Sequence, residues 1–388
     1  MTQTTLVANR THITFFGCTN AGKSSLVNAI TNQDLSVVSE IKGTTTDPVS
    51  KTMELLPLGA VVIIDTPGFD DTSELGEKRI EKTNKVLSKT DIAILVVDAN
   101  IGLSNKDNEL IELFKKRNTP YLIVYNKSDI KKLENKLCVS AKTGENIELL
   151  KEKIAQLKPE IKEKYIIKDK SKQKDTVILV IPIDESAPKG RIILPQQNVL
   201  RELLDNHNSI ICCQTDELKD NLKHNPSLVI TDSQAFNKVS EIVPDNILLT
   251  SFSILFANYK GELSVLIEGA KKLKELKEGD KVLISEGCTH HRQCNDIGTV
   301  KIPNWIEKYT NKKFNFEFTQ GGEFPKDLSK YSLIIHCGGC MLNEKEMKYR
   351  IKTAQDQGIK IINYGILIAY MNGILKRALE IFPEIKIS

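Results

Sequence analysis

No apolar run in the 388-residue chain reaches the roughly 18 residues that a membrane helix requires, and the first residues lack a signal-peptide core. A cytoplasmic protein with no membrane contact is therefore expected. An excess of one charge is missing too: 54 Lys and Arg stand against 50 Asp and Glu, a formal net charge of +4. With aromatics at 6% and a single Trp, nothing interleaves basic and stacking side chains, so a nucleic-acid partner is not expected. What remains, 40% hydrophobic and 27% charged residues, is the composition of a globular chain. Its length is too great for one ordinary core, so two or three domains are expected.

Cysteine is not scarce but is unevenly placed. Cys18, Cys138, Cys212 and Cys213 are scattered among strand-like or motif contexts, where a lone thiol usually acts as a small hydrophobe. Cys288, Cys294, Cys337 and Cys340 crowd the end of the chain. In a cytosolic setting such a group points to metal ligation or redox chemistry rather than structural disulfides.

The N-terminal third carries the plainest motif. An apolar strand runs into Gly17-Cys18-Thr19-Asn20-Ala21-Gly22-Lys23-Ser24-Ser25 and then into an amphipathic helix, the order that a phosphate-binding loop needs. Its glycines turn backbone N–H groups inward onto phosphates, and the helix N-terminus adds positive potential. Lys23 would reach the β- and γ-phosphates and Ser24 would ligate Mg2+. Further on, a strand ends at Asp65-Thr66-Pro67-Gly68: the carboxylate can hold the magnesium through water, and Gly68 lets its backbone approach the γ-phosphate. Another strand ends at Asn126-Lys127-Ser128-Asp129. Asp129 can accept two hydrogen bonds from a guanine edge, which adenine does not offer, while the Lys127 stem packs over the base. Ser140-Ala141-Lys142 then suits a backbone-donating guanine loop. GTP and GDP, not ATP, are the expected nucleotides.

Over about residues 10 to 157 these motifs resemble the Ras-like, translation-factor-class GTPases, and within them the potassium-activated TrmE/Era-like branch. Asn20 stands where that branch keeps a K+ ligand, and Lys42-Gly43-Thr44-Thr45-Thr46-Asp47 resembles its first switch, with Thr45 in the Mg2+ place. The residue after Gly68 is Phe69, where classical members carry a catalytic glutamine. An apolar ring cannot orient water, so K+ at Asn20 is the expected source of transition-state charge, acting with Lys23, Thr45 and Gly68.

A Lys-rich polar stretch, residues 168–175, reads as a solvated linker. After it, residues 176–264 alternate strands and helices and read as a compact parallel-sheet unit with no polar constellation, a scaffold or subunit-contact domain. Cys212 and Cys213 are adjacent on a strand and point to opposite faces. Residues 265–388 alternate again, ending in a helix expected over 366–381. Here Glu286-Gly287-Cys288-Thr289-His290-His291 and His336-Cys337-Gly338-Gly339-Cys340 each begin where a strand ends. Parallel strands would bring Cys288, Cys337 and Cys340 to one sheet edge, where such folds bind ligands. Zinc held with one of the histidines, a redox pair of Cys337 and Cys340, and an iron–sulfur cluster on three thiolates all fit these residues.

A Cys288-x-His290 pair and a distant His336-Cys337-x-x-Cys340, following a potassium-type GTPase, together resemble the FeFe-hydrogenase maturation GTPase family, HydF, across the whole chain. The resemblance implies three α/β domains. These are a Ras-like P-loop GTPase (1–167, before the 168–175 linker), a middle domain (176–264) that makes a homodimer, and a flavodoxin- or Rossmann-like domain (265–388) that binds a 4Fe–4S cluster. It implies Cys288, Cys337 and Cys340 as cluster ligands, with His290 and His336 as a labile fourth ligand or as support behind the ligands. Cys294 falls outside the pattern. It also implies a GTPase that serves as scaffold and carrier for a transient di-iron precursor. Radical-SAM maturases supply that precursor, and apo FeFe-hydrogenase receives it. Competing readings are a ribosome- or RNA-associated GTPase with a zinc module and a redox-sensing GTPase with a Cys337–Cys340 disulfide.

Overall fold

A computed structural model describes residues 10–32, 49–69, 76–158, 164–183, 192–287 and 296–385. The first-switch segment with Thr45, and Cys288, His290, His291 and Cys294, lie outside the described residues. The chain divides into two compact units, Met1–Lys162 and Glu163–Ser388. Among the described residues no helix is long and apolar enough to cross a membrane.

The first unit comprises β1 (Thr11–Phe16), α1 (Lys23–Thr31), β2 (Val49–Leu55), β3 (Gly59–Asp65), α2 (Gly76–Leu87), β4 (Ile92–Asp98), α3 (Asn105–Lys116), β5 (Tyr121–Asn126) and α4 (Ile147–Gln156). Its sheet runs β2-β3-β1-β4-β5 with only β2 antiparallel. β1 is buried along its whole length and β4 is a near-continuous apolar run, as suits strands covered on both faces. A parallel bridge between Tyr125 and Cys138 extends the sheet at its far edge.

The second unit holds β6 (Thr176–Val180), α5 (Leu194–Asp205), β7 (Ser209–Cys213), α6 (Leu218–Asn221), β8 (Leu228–Thr231), α7 (Phe236–Ile242), β9 (Leu248–Ser251), α8 (Phe252–Lys260) and α9 (Leu263–Lys272). It continues with β10 (Lys281–Glu286), α10 (Ile302–Thr310), β11 (Asn315–Gln320), β12 (Leu333–His336), α11 (Glu344–Asp356), β13 (Ile361–Asn363), α12 (Tyr364–Met371) and α13 (Leu375–Ala378). Two parallel sheets result, β7-β6-β8-β9 and β11-β10-β12-β13. They share one apolar cluster that runs from Ile166 to Phe382, so the two expected α/β domains are two halves of one packed unit.

The halves repeat one another. Both sheets have the strand order second, first, third, fourth, and the registers match: Val177 pairs Leu228 as Val282 pairs Leu333, and Thr231 pairs Ser251 as His336 pairs Asn363. Each fourth strand ends in a cap residue, Ser251 or Asn363, whose side chain accepts N–H groups of the next helix. Those helices read Ser253-Ile254-Leu255-Phe256-Ala257 and Gly365-Ile366-Leu367-Ile368-Ala369. Equivalent positions touch across the pseudo-symmetric contact, Ser253 Oγ accepting the Gly365 N–H at 3.2 Å.

Two local expectations are corrected. The stretch 168–175 is not a free solvated segment: Glu202 of α5 accepts the N–H groups of Ile166, Ile167 and Lys168, and Asn208 donates to the carbonyls of Lys172 and Asp175. Nor does one helix span 366–381, because Gly373, in the left-handed region at φ 72°, separates α12 from α13.

Candidate functional site

In the first unit the phosphate loop leaves β1 at Gly17 and enters α1 at Lys23. Gly17 and Gly22 have φ of 142° and 88°, and a Cβ on Gly17 would lie 2.2 Å from the Val96 carbonyl oxygen, so only glycine lets the loop lie this close to β4. Asn20, exposed at the tip, takes φ 62°, a left-handed conformation that asparagine tolerates. The Lys23 ammonium curls into the loop and donates to the carbonyls of Gly17 at 3.0 Å and Cys18 at 2.8 Å. Ser24 Oγ donates to Asp65 Oδ2 at 2.6 Å, which joins the two described groups expected at magnesium. Ser25 follows, half-buried on α1. Gly68 meets the loop so closely that a Cβ there would lie 2.1 Å from Thr19 Oγ1. The Phe69 N–H donates to Gly17 O at 3.1 Å, and its ring is buried in the apolar cluster with Phe16, Ile64 and Val97. That side chain anchors the segment and presents nothing polar.

One side chain ties the loop expected at the base to the phosphate loop. Asn126 Nδ2 donates to Ala21 O at 3.1 Å, and its Oδ1 accepts the Ala141 N–H at 3.1 Å. Ser140 Oγ donates to Asp129 Oδ1 at 2.7 Å, which orients the exposed carboxylate. Lys127 reaches Asp98 Oδ2 at 2.6 Å. Partial burial pulls the Asp98 carboxyl up, but the bonds from Lys127 and Asn100 outweigh it and hold it below its ordinary value. Ser128 Oγ donates to Glu145 at 2.7 Å, while Lys142 is exposed. Asp98 and Glu145 carry no motif of their own, and sequence reasoning missed both.

In the second unit the carboxyl ends of β10 and β12 are adjacent, Ser285 pairing His336. Gly287, immediately before Cys288 in sequence, donates its N–H to Cys337 Sγ at 3.0 Å, and Gly339 adds a second N–H at 3.4 Å. Burial pushes the Cys337 thiol up to about 11 despite these donors. Burial raises Cys340 as well, against the pull of Lys260. Buried sulfur with donors aimed at it suits a thiolate that is neutralised by metal. Among the described residues no group of three His, Cys, Asp or Glu side chains is arranged to hold a metal ion. The third expected thiol, Cys288, and His290 lie outside those residues.

His336 is fully buried, with both ring nitrogens engaged: Nδ1 contacts Cys337 O at 2.8 Å and Nε2 contacts Arg350 Nη1 at 3.1 Å. Because arginine only donates, Nε2 carries the lone pair and Nδ1 the proton. Burial first, then the Arg350 charge, drive the imidazole down to about 3, so it is neutral. The two loop glycines serve packing. Gly338 faces Ser253 of α8, and Gly339 takes φ 62° with Met347 beside it. Sequence reasoning also missed Lys260 and Arg350, each only 1% exposed. A Lys at the end of a largely apolar helix was the available signal for the first.

Residues 12–127 match the 50S ribosome-binding GTPase model. Among curated relatives, GTPase Der of Kosmotoga olearia is 41% identical over 123 residues, covering 30% of this chain and 28% of that protein. The tRNA modification GTPase MnmE of Lactococcus lactis subsp. cremoris is 36% identical over 151 residues, covering 36% of this chain and 32% of that protein. The chain spans about a third of the length of these relatives. A crystal structure of Aquifex aeolicus Era bound to GDP and AlF4− aligns with 55% of this chain and 97% of its own at 18% identity. Its TM-score is 0.35, a likeness too loose to argue from. The first unit is thus a P-loop GTPase domain. Residues 166–261 match the hydrogen maturase F dimerization domain and residues 264–381 its tetramerization domain, together more than half of the chain. The chain belongs to the hydrogen maturase F family.

Proposed function

We propose that this chain is a GTP-hydrolysing scaffold of hydrogenase maturation. In this reading it holds a 4Fe–4S cluster through Cys288, Cys337 and Cys340, and carries a di-iron precursor to apo FeFe-hydrogenase. The observation that carries the reading is the Gly287 N–H on Cys337 Sγ at 3.0 Å, which supports a common edge for the loops that bear all three thiols. When bound, the cluster would offer one iron without a thiolate, where an iron fragment attaches and leaves. The protein supplies N–H groups to Cys337 Sγ, a buried neutral His336 behind the thiols, and a loop shaped by Gly338 and Gly339. His336, with both nitrogens engaged, fits the supporting role better than that of a fourth ligand.

In the GTPase domain, Lys23 and the loop N–H groups would hold the phosphates, and Ser24 and Asp65 would hold Mg2+ with Thr45. Asp129, oriented by Ser140, would read guanine while Lys127 covers the base. Asn20 would hold K+, whose charge offsets what develops on the phosphates where Phe69 supplies nothing. Nucleotide state would then act as a signal through residues 43–47 and 65–71. Self-association, for which the two family models stand, would use the middle half.

The full chain, loaded through the radical-SAM maturases, is expected to switch on hydrogen evolution by apo FeFe-hydrogenase, and Cys340→Ser is expected not to. Equal activation by the variant, or none by the native chain, would contradict the proposal. Identical transfer rates with GTP, GDP and no nucleotide would remove the signalling role.

A further inference from the structure

The duplicated topology of the second unit exposes an asymmetry at the thiol loop. In each half, the loop after the third strand is met by the helix that follows the fourth strand of the other half. Ser233, after β8, faces Gly365 of α12, and Gly338, after β12, faces Ser253 of α8. The register sets Asp232 opposite Cys337 and Ala235 opposite Cys340 in the comparison of halves. It likewise sets Asn372 opposite Lys260.

These two residues, Lys260 at the end of α8 and Asn372 just past the end of α12, behave differently. Asn372 is exposed, and its Nδ2 returns to its own helix at Ile368 O, 2.9 Å away. Lys260 is buried and leaves its helix altogether. Its ammonium donates to the carbonyls of Gly339 at 3.2 Å, Cys340 at 2.9 Å and Leu342 at 2.7 Å, so all three hydrogens hold the backbone that carries the second thiol. The Phe256 ring lies 5.5 Å from the same nitrogen. Burying an ammonium is costly unless its environment is specifically built. Here the lysine is found only in the half whose partner loop bears thiols.

We propose that Lys260 is a positioning residue of the thiol site, clamping the Gly339–Leu342 backbone from the middle half and bringing an ammonium to the loop that bears Cys337 and Cys340. This rests on the cluster reading given above. Three carbonyls fix the loop before any metal arrives, so the geometry of Cys340 is set by a residue of the dimerization segment. Once the sulfurs carry negative charge, the nearby ammonium stabilises the more reduced form, because net charge around a cluster shifts its potential. The middle half is then part of the site as well as a subunit contact.

The test compares the native full chain with Lys260→Met, Lys260→Gln and Lys260→Arg. In metal-free protein, amide hydrogen exchange across 337–343 is expected to rise several-fold in Lys260→Met and to return toward the native rate in Lys260→Arg. After anaerobic reconstitution with ferrous iron and sulfide, Lys260→Met is expected to show a more negative midpoint potential, and Lys260→Arg to restore it. If Lys260→Met fails to fold, Lys260→Gln, which loses the charge and has two donor hydrogens for three carbonyls, carries both measurements. Unchanged exchange together with unchanged potential and paramagnetic spectrum would overturn the proposal. A native chain that takes up no iron and sulfide would overturn the cluster reading instead, and the exchange experiment would still decide whether Lys260 clamps the loop.

Discussion

Arg350 donates from Nη1 to Nε2 of His336 at 3.1 Å, and the far side of the same imidazole donates to the Cys337 carbonyl at 2.8 Å. The guanidinium also reaches Gly321 O at 2.6 Å and Glu346 at 2.8 Å. The imidazole is therefore a strut between a buried cation and the thiol loop. His336→Ala is expected to leave iron and sulfide content near native. It should lower the stability of the metal-free chain by about 1–3 kcal/mol, the cost of stranding a buried hydrogen-bonding partner. Iron analysis and urea unfolding measure both, and loss of iron with stability intact would make His336 a ligand.

Asn126 touches both Ala21 of the phosphate loop and Ala141 of the guanine loop. Asn126→Ala removes both bonds and leaves their partners unpaired, at about 1–3 kcal/mol. At about 1.4 kcal/mol per decade, that is roughly a tenfold to hundredfold loss of GDP affinity. Titration calorimetry with GDP reads it, and native affinity in the variant would show that the two loops are held by other means.

Phe69 is buried and apolar, so hydrolysis needs charge from elsewhere. Exchange of K+ for Na+ is expected to slow GTP hydrolysis by an order of magnitude or more, on the scale that a single electrostatic donor contributes. Asn20→Ala should abolish the difference between the two ions. Equal rates in both ions for the native chain would remove potassium from the mechanism.

Glu317 on β11 accepts from Lys330 at 2.7 Å and from Tyr331 at 2.6 Å, and these bonds hold its carboxyl at about 2. A folded value below the unfolded one means stabilisation that is present above the ordinary value of 4.5 and is lost as pH falls toward about 2. The side chain is 38% exposed, so solvent screens the pair and the effect is small. Glu317→Gln should melt lower than the native chain at neutral pH, and the gap should close through this acid window. A gap independent of pH would show that packing, not charge, is responsible.

The nucleotide site was legible because its parts are local. Gly17 to Ser24, Asp65 to Gly68 and Asn126 to Asp129 each sit at a strand end, where a loop's chemistry can be read from a few consecutive residues. The strand ends bearing Gly287 and Cys337 were legible for the same reason, since β10 and β12 both read as apolar strands. Lys260 and Arg350 were not, because neither belongs to a thiol loop. One arrives from the other half of a duplicated unit and the other from the second turn of α11, and only packing brings them in. The stretch at 168–175 was misread because lysine content signals solvation, while the backbone bonds that Glu202 and Asn208 supply come from α5 and the turn after it. The break at Gly373 is hidden by an apolar periodicity that continues through the glycine.

The proposal for the second unit is that Cys288, Cys337 and Cys340 hold an iron–sulfur cluster as three thiolates, with one position left for exchange. Anaerobic reconstitution of the full chain with ferrous iron and sulfide, followed by iron analysis, absorbance and electron paramagnetic resonance of the reduced protein, tests it most directly. A brown protein with about four irons per chain is expected, paramagnetic on reduction, with that signal lost in Cys288→Ser, Cys337→Ser and Cys340→Ser alike. A colourless chain that holds a single zinc, or a signal that survives Cys337→Ser, would contradict it.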